Sequence, residues 1–139
     1  MNIIITLPHN LWVQIMMGHK IYELRKKLPQ KFQLKTSKCF VIIKGEHSLA
    51  GYFTIKEFRT IPAPKPCSFM LSLQLCVEPE WVDKYLDNTN TCVLWKIDKV
   101  YSYNIWEDAR NIFPIKANPQ SYIYTDIEPN LIARVWPRR

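Results

Sequence analysis

Four residues in the stretch GHKIYELR, namely Gly18, Lys20, Glu23 and Arg25, have types and spacing that could do chemistry. Arg25 can offer a planar fork to a phosphate or a base edge and Lys20 a mobile point charge, while Glu23 can accept from an amino group or fix either cation. From Ile21 the pattern has a period of two, which puts Ile21, Glu23 and Arg25 on one face of a strand and Tyr22 and Leu24 on the other. Along such a strand Glu23 and Arg25 emerge about 7 Å apart. If exposed, the cluster contributes on the order of 1 kcal/mol or less per ion pair. If partly buried, it is costly to retain without a use. It is therefore either a structural Lys-Glu-Arg cluster or the wall of a site, and the site is the expectation.

The neighbouring residues extend that expectation. Lys26, Lys27, Lys31, Lys35 and Lys38 crowd one connecting segment, either as an electrostatic footprint for a phosphate backbone or as a solvated loop. Trp12, Tyr22, Tyr52, Trp106 and Tyr122 offer flat side chains on which a splayed base could stack, with Tyr22 and Trp12 preferred because they flank the cluster. His19 could titrate near neutrality beside Lys20. Glu78 or Glu80 could add a carboxylate, although no spacing rule places them there.

These residues need elements to position them. Residues 2–6 form a β-branched run, Pro8 suits a first helical turn, and Leu11, Trp12, Ile15 and Met16 recur at helical spacing. Gly18 falls where a left-handed cap would stop that helix. Residues 38–44 and 49–58 read as a hairpin turning at 45–48, with Gly51 marking a bulge or a close backbone approach. Pro62, Pro64 and Pro66 then favour an extended loop. A helical insert follows, Pro79 opening a helix with Trp81, Val82, Tyr85 and Leu86 on one stripe. Residues 91–103 are the longest strand candidate, residues 105–108 suit a helical turn, and residues 121–125 a last strand. Residues 126–139 read equally as helix or strand. Short strands without βαβ alternation predict an α+β fold, a mostly antiparallel sheet or small barrel with helices over its openings.

Composition narrows the class. The 139 residues suit one domain, expected over residues 1–125 with a C-terminal extension over 126–139. With 47% apolar residues, disorder is excluded, and 3 glycines argue against low-complexity architecture. Nineteen basic against twelve acidic residues leave a net charge of +7, which attracts polyanions. No apolar run reaches spanning length and the N-terminus lacks a basic leader, so a cytoplasmic protein without a membrane partner is expected. Cys39, Cys67, Cys76 and Cys92 lack ligand spacing, so neither a metal, another cofactor nor a disulfide framework is expected; Cys39 and Cys92 sit in apolar runs that favour burial.

Taken in chain order, strand, helix, glycine turn and then Gly18, Lys20, Glu23 and Arg25, the sequence resembles the ASCH domain, whose signature is GxKxxExR and which belongs to the PUA-like superfamily of small β-barrels. The likeness continues through the hairpin, the insert, the strand TCVLWKIDKVYSY and Asn118-Pro119-Gln120-Ser121-Tyr122, over roughly residues 2–125. The resemblance implies a PUA-like barrel with a cleft beside the signature strand, associated with binding of RNA or other nucleic acid. Lys20, Glu23, Arg25, Tyr22, Trp12, Lys26 and Lys27 would then line a site for RNA or for a modified or extruded base. Some small relatives are hydrolases of acylated cytidine nucleosides and carry threonine where this chain has Glu23. A lysine-paired glutamate is a weaker attacking group than a lysine-activated hydroxyl. In the alternative reading, a hydrolase of a modified nucleoside or of RNA, Lys20 would stabilise charge and Glu23 would be the general base.

Overall fold

The computed structural model describes residues 1–115 and 121–137. The Asn118-Pro119-Gln120 part of the resemblance, and Arg138 and Arg139, lie outside the described residues.

The chain runs β1 (Asn2–Leu7), α1 (His9–Met16), β2 (Tyr22–Arg25), β3 (Cys39–Ile43), β4 (Leu49–Pro62), α2 (Phe69–Leu75), α3 (Pro79–Tyr85), β5 (Thr91–Tyr103), a 3-10 turn (Ala109–Asn111), β6 (Ile123–Thr125) and β7 (Ala133–Trp136). The strands form one mixed sheet in the order β2-β5-β4-β3-β1-β6, with β7 also paired to β5. The β1–β3 pair is parallel and the other pairs are antiparallel. The sheet does not close: β2 and β6 end the path, so in place of the expected barrel the described residues form an open sheet. The register of β4 against β5 shifts between Phe53 and Ile55 and again between Ile55 and Glu57, irregularities of the kind that bend a strand locally.

Strand periodicity builds the core directly. Ile3, Ile5, Cys39, Val41 and Ile43 meet Trp12 and Ile15 of α1 on one face of the sheet. Ile4, Phe40 and Ile42 point the other way, toward Tyr103, Ala109 and Phe113. Because both faces are covered, β3 is a continuous apolar run rather than an alternating one. A Cβ on Gly51 would lie 2.0 Å from the Tyr101 carbonyl oxygen and 2.8 Å from the Trp12 ring, so only glycine fits there.

Pro8 caps α1 at its N-terminus, and Gly18, at φ 81°, ends the segment in the left-handed conformation the sequence demands. Several expectations change. β4 continues through Pro62, because Thr60, Ile61 and Pro62 pair with Val93, Cys92 and Thr91, the proline standing at the strand end where no ladder bond is lost. The insert holds a second helix, α2, capped by the Ser68 hydroxyl, which accepts from the Leu71 amide. Residues 105–108 are not helical: Asp108 bridges to Ser48 and the helical turn starts at Ala109. The tail supplies a strand, β7, because β5 outreaches β2 and leaves residues 100–103 free to pair with it.

Candidate functional site

Gly18 turns the chain out of α1, and residues 20–25 then run along the edge of β5, with Glu23 opposite Trp95 and Arg25 opposite Val93. The strand's alternation separates two environments. Tyr22 and Leu24 enter the small core of the insert with Leu75, Val82 and Leu86, while Glu23 and Arg25 face a cavity of about 950 Å³ whose edge Leu24 and Leu75 also reach. That volume lies near the top of the range typical of small-molecule pockets, about 300–1,000 Å³.

On the cavity floor Arg25 donates from Nε and Nη2 to Glu23 Oε2, at 3.0 and 2.7 Å. The Lys20 ammonium stands 3.3 Å from Glu23 Oε1 and donates to the Leu75 carbonyl at 2.7 Å. Lys20 is 2% exposed and Glu23 5%. Burial alone would raise the Glu23 pKa, but Arg25 and Lys20 outweigh it and hold the carboxyl below its ordinary value. Burial likewise opposes the Arg25 charge, and Glu23 more than restores it. Beneath them Cys39 is fully buried, and desolvation pushes its thiol well up, so it is an inert thiol in the core.

Lys20 has a second task. Leu75 is the last residue of α2, and its carbonyl lacks a helical partner, so the ammonium satisfies an orphan acceptor at the negative end of the helix. Beside it the Ile21 amide donates to the Gln74 carbonyl at 2.8 Å. These bonds fasten the insert to the signature strand.

The insert provides the opposite wall. Phe69, Leu73, Trp81 and Tyr85 line the cavity, with Phe69 71% and Trp81 50% exposed. Trp81 and Tyr85 stand one turn apart on α3 and stack almost in parallel, with ring centres 5.0 Å apart and 14° between planes. Lys44, His19 and Glu78 complete the charged lining. Lys20, Arg25 and Lys44 against Glu23 and Glu78 give the cavity one net positive charge, leaving His19 out of the count.

The structure thus brings Lys20, Glu23 and Arg25 together at one cavity. Lys26 lies beside it, its ammonium 4.9 Å from the Tyr85 ring centre, and Lys27 is exposed on the following loop. Lys31 and Lys38 sit instead over Tyr124 and Tyr52, and Lys38 also pairs with Glu128. Trp12 and Tyr22 do not line the cavity. Trp12 is wholly buried against Gly51, and Tyr22, 8% exposed, packs in the insert core with Arg59 near its ring. Tyr52 stacks on Tyr101, Trp106 meets His9 edge-on, and Tyr122 meets Trp95. Glu78 reaches the cavity, whereas Glu80 is exposed away from its lining.

Sequence reasoning missed Lys44, Phe69, Trp81 and Tyr85 as cavity residues. The last two belong to the stripe expected to bury, and the half that buries is Val82 and Leu86. Among the described residues no cluster of three metal-ligating side chains occurs, and no helix is long and apolar enough to cross a membrane.

No family model and no curated protein matches the sequence. Solved structures do match. The ASCH protein from Zymomonas mobilis superposes with a TM-score of 0.74 at 13% identity, covering 89% of this chain and 87% of that one. Its serine-to-alanine variant gives 0.74 at 12% identity with the same coverage. Its tyrosine-to-phenylalanine variant gives 0.70 at 14%, covering 89% of each chain. The chain therefore has an α+β fold of the ASCH type. Identity this low establishes the fold alone, and it agrees with the resemblance carried by Gly18, Lys20, Glu23 and Arg25.

Proposed function

We propose that this protein is a nucleic-acid-binding module that holds RNA, or a modified or extruded nucleobase, in the cavity floored by Lys20, Glu23 and Arg25. The observation that carries the reading is a cluster of three charges, two buried and Arg25 partly buried, net positive and opening on a cavity with aromatic residues in its wall. Burying charges costs several kcal/mol per ion before pairing offsets it, and replacing such a cluster by apolar residues of similar volume is often neutral or stabilising. The retained charge suits recognition. Glu23 orients the Arg25 fork, whose Nη1 makes no hydrogen bond among the described residues and can donate to a phosphate or a base oxygen. The ASCH-type fold and the net charge of +7 support the same ligand class.

Fluorescence anisotropy with a labelled single-stranded RNA tests this. Binding should weaken steeply between 50 and 200 mM salt, an interval on the order used to read counterion release, and Arg25→Ala should weaken it further. Binding that ignores both salt and the Arg25→Ala change overturns the reading.

The alternative, hydrolysis of a modified nucleoside or of RNA, draws on His19. Its Nδ1 lies 2.7 Å from Gln14 Oε1, Nε2 makes no hydrogen bond among the described residues, and the ring lines the same cavity as Lys20 and Glu23. Glu23 suits a general base poorly, because its ion pairs lower its proton affinity. Turnover that disappears in His19→Ala and in Glu23→Gln would establish the hydrolase; turnover that survives both removes these assignments.

A further inference from the structure

The aromatic wall goes beyond what the charged floor explains. Phe69, Leu73 and Trp81 are each at least half exposed, and all three line one cavity. Apolar side chains gathered on one exposed surface mark a contact. Three further observations narrow what that contact is.

The first is planarity. Trp81 lies with one face on Tyr85, the two rings 14° from parallel, so its other face belongs to the cavity and solvent. An indole held this way is a ready platform for a second flat ring. The second is continuity with the charges. Tyr85 lies within electrostatic reach of both Arg25 and Glu23, and Lys26 lies on the same ring, so the stack joins the wall to the floor. The third is attachment. Lys20 Nζ and the Ile21 amide bind the last carbonyls of α2, which fastens the aromatic wall to the strand that carries Glu23 and Arg25. Planar apolar surface on one side and a net positive floor on the other complement a ligand that is flat at one end and anionic at the other. A duplex offers no such face, because its bases are stacked and paired.

We propose that the ligand unit is a single unpaired nucleotide, its base stacked on the open face of Trp81 beside Phe69 and its phosphate meeting Arg25 and Lys44. This rests on the nucleic-acid reading above and adds to it the binding residues of the insert and a requirement for a base that is free to splay out.

The test compares three probes with the full chain: an RNA octamer, the same octamer with its bases removed at abasic ribose units, and the octamer annealed to its complement. The octamer should bind at least about tenfold more tightly than the abasic chain or the duplex, the scale of one lost stacking contact. Trp81→Ala should remove that advantage for the octamer while leaving abasic binding unchanged, and Trp81→Phe should restore most of it. Arg25→Ala should weaken the octamer and the abasic chain alike. If Trp81→Ala binds the octamer as the wild type does while Arg25→Ala still binds it weakly, the stacking role fails and the nucleic-acid reading stands. If none of the probes binds, both fail. A dimer seen by sedimentation that Trp81→Ala dissolves, with octamer binding intact, would assign the wall to a second copy of this chain and overturn the proposal.

Discussion

The two sides of the cavity solve opposite problems. On the floor, Lys20 and Glu23 are buried and Arg25 partly so, and the three charges are largely engaged with one another. On the wall, Phe69 and Trp81 are apolar and exposed. A buried charge left without partners is among the costliest groups in a protein, so the floor must be assembled before any ligand arrives. An exposed aromatic costs little to leave uncovered, so the wall can stay open to solvent in the folded chain. The floor should therefore carry much of the local stability and the wall little of it, whatever each contributes to the proposed binding. Lys20 belongs to both, because its ammonium serves the Glu23 carboxylate and the end of α2 at once.

Breaking the floor should have the largest effect. Glu23→Ala leaves Lys20 and Arg25 as neighbouring buried cations and should cost about 3–5 kcal/mol, measured by urea denaturation. A loss under about 1 kcal/mol would show that the cluster is effectively solvated and that the contrast with the wall is false. Lys20→Met comes next, at about 2–3 kcal/mol, for a lost ion pair and an unsatisfied Leu75 carbonyl. Because Lys20 fastens the insert, hydrogen exchange in Lys20→Met should accelerate in Phe69–Leu75 while the amides of Cys39–Ile43 keep their relative protection. Uniform acceleration would mean that Lys20 supports the whole sheet rather than the insert.

Acid sharpens the same contrast. The Glu23 pKa is lower in the folded chain than its ordinary value of 4.5, so the unfolded chain binds the proton more readily. The stabilisation is therefore complete above about pH 4.5 and is lost as the pH falls through the lowered value. Unfolding followed across that range should show a steeper loss of stability in the wild type than in Glu23→Gln, and parallel curves would remove the carboxylate from this role. The smallest effect belongs to the wall. Trp81→Ala should change stability by less than about 1 kcal/mol, since one stacked contact and little burial are lost. A larger loss would make Trp81 part of the insert core.

Much of the frame could be read from local pattern. The period of two in residues 21–25 separated Glu23 and Arg25 from Tyr22 and Leu24, and the structure keeps that division in part: Tyr22 and Leu24 pack in the insert core, but Leu24 also touches the cavity and Ile21 packs with the insert rather than with Glu23. Gly18 stops α1, Gly51 takes a close approach, and β5 spans the whole candidate strand. α2 was not legible, because most of its apolar side chains face outward: Phe69, Met70 and Leu73 are exposed, and the buried positions are a serine, Ser72, and Leu75. On α3 two adjacent rows at i,i+4 spacing, Trp81 with Tyr85 and Val82 with Leu86, are equally apolar. Nothing within the helix states which row will be covered. Trp12 flanks the signature in sequence, yet it points into the sheet, where Gly51 makes room for its ring.

The sequence by itself therefore determined most of the strands, the glycine stop, the charged triplet and the face that Glu23 and Arg25 share, because these follow from steric and periodic rules acting over a few residues. Tertiary structure alone decided that the sheet stays open, that the tail joins β5, that Trp12 and Tyr22 are core, and that Phe69 and Trp81 complete the cavity. Those outcomes depend on which surface each element meets, and burial is a relation between distant segments that no local window contains.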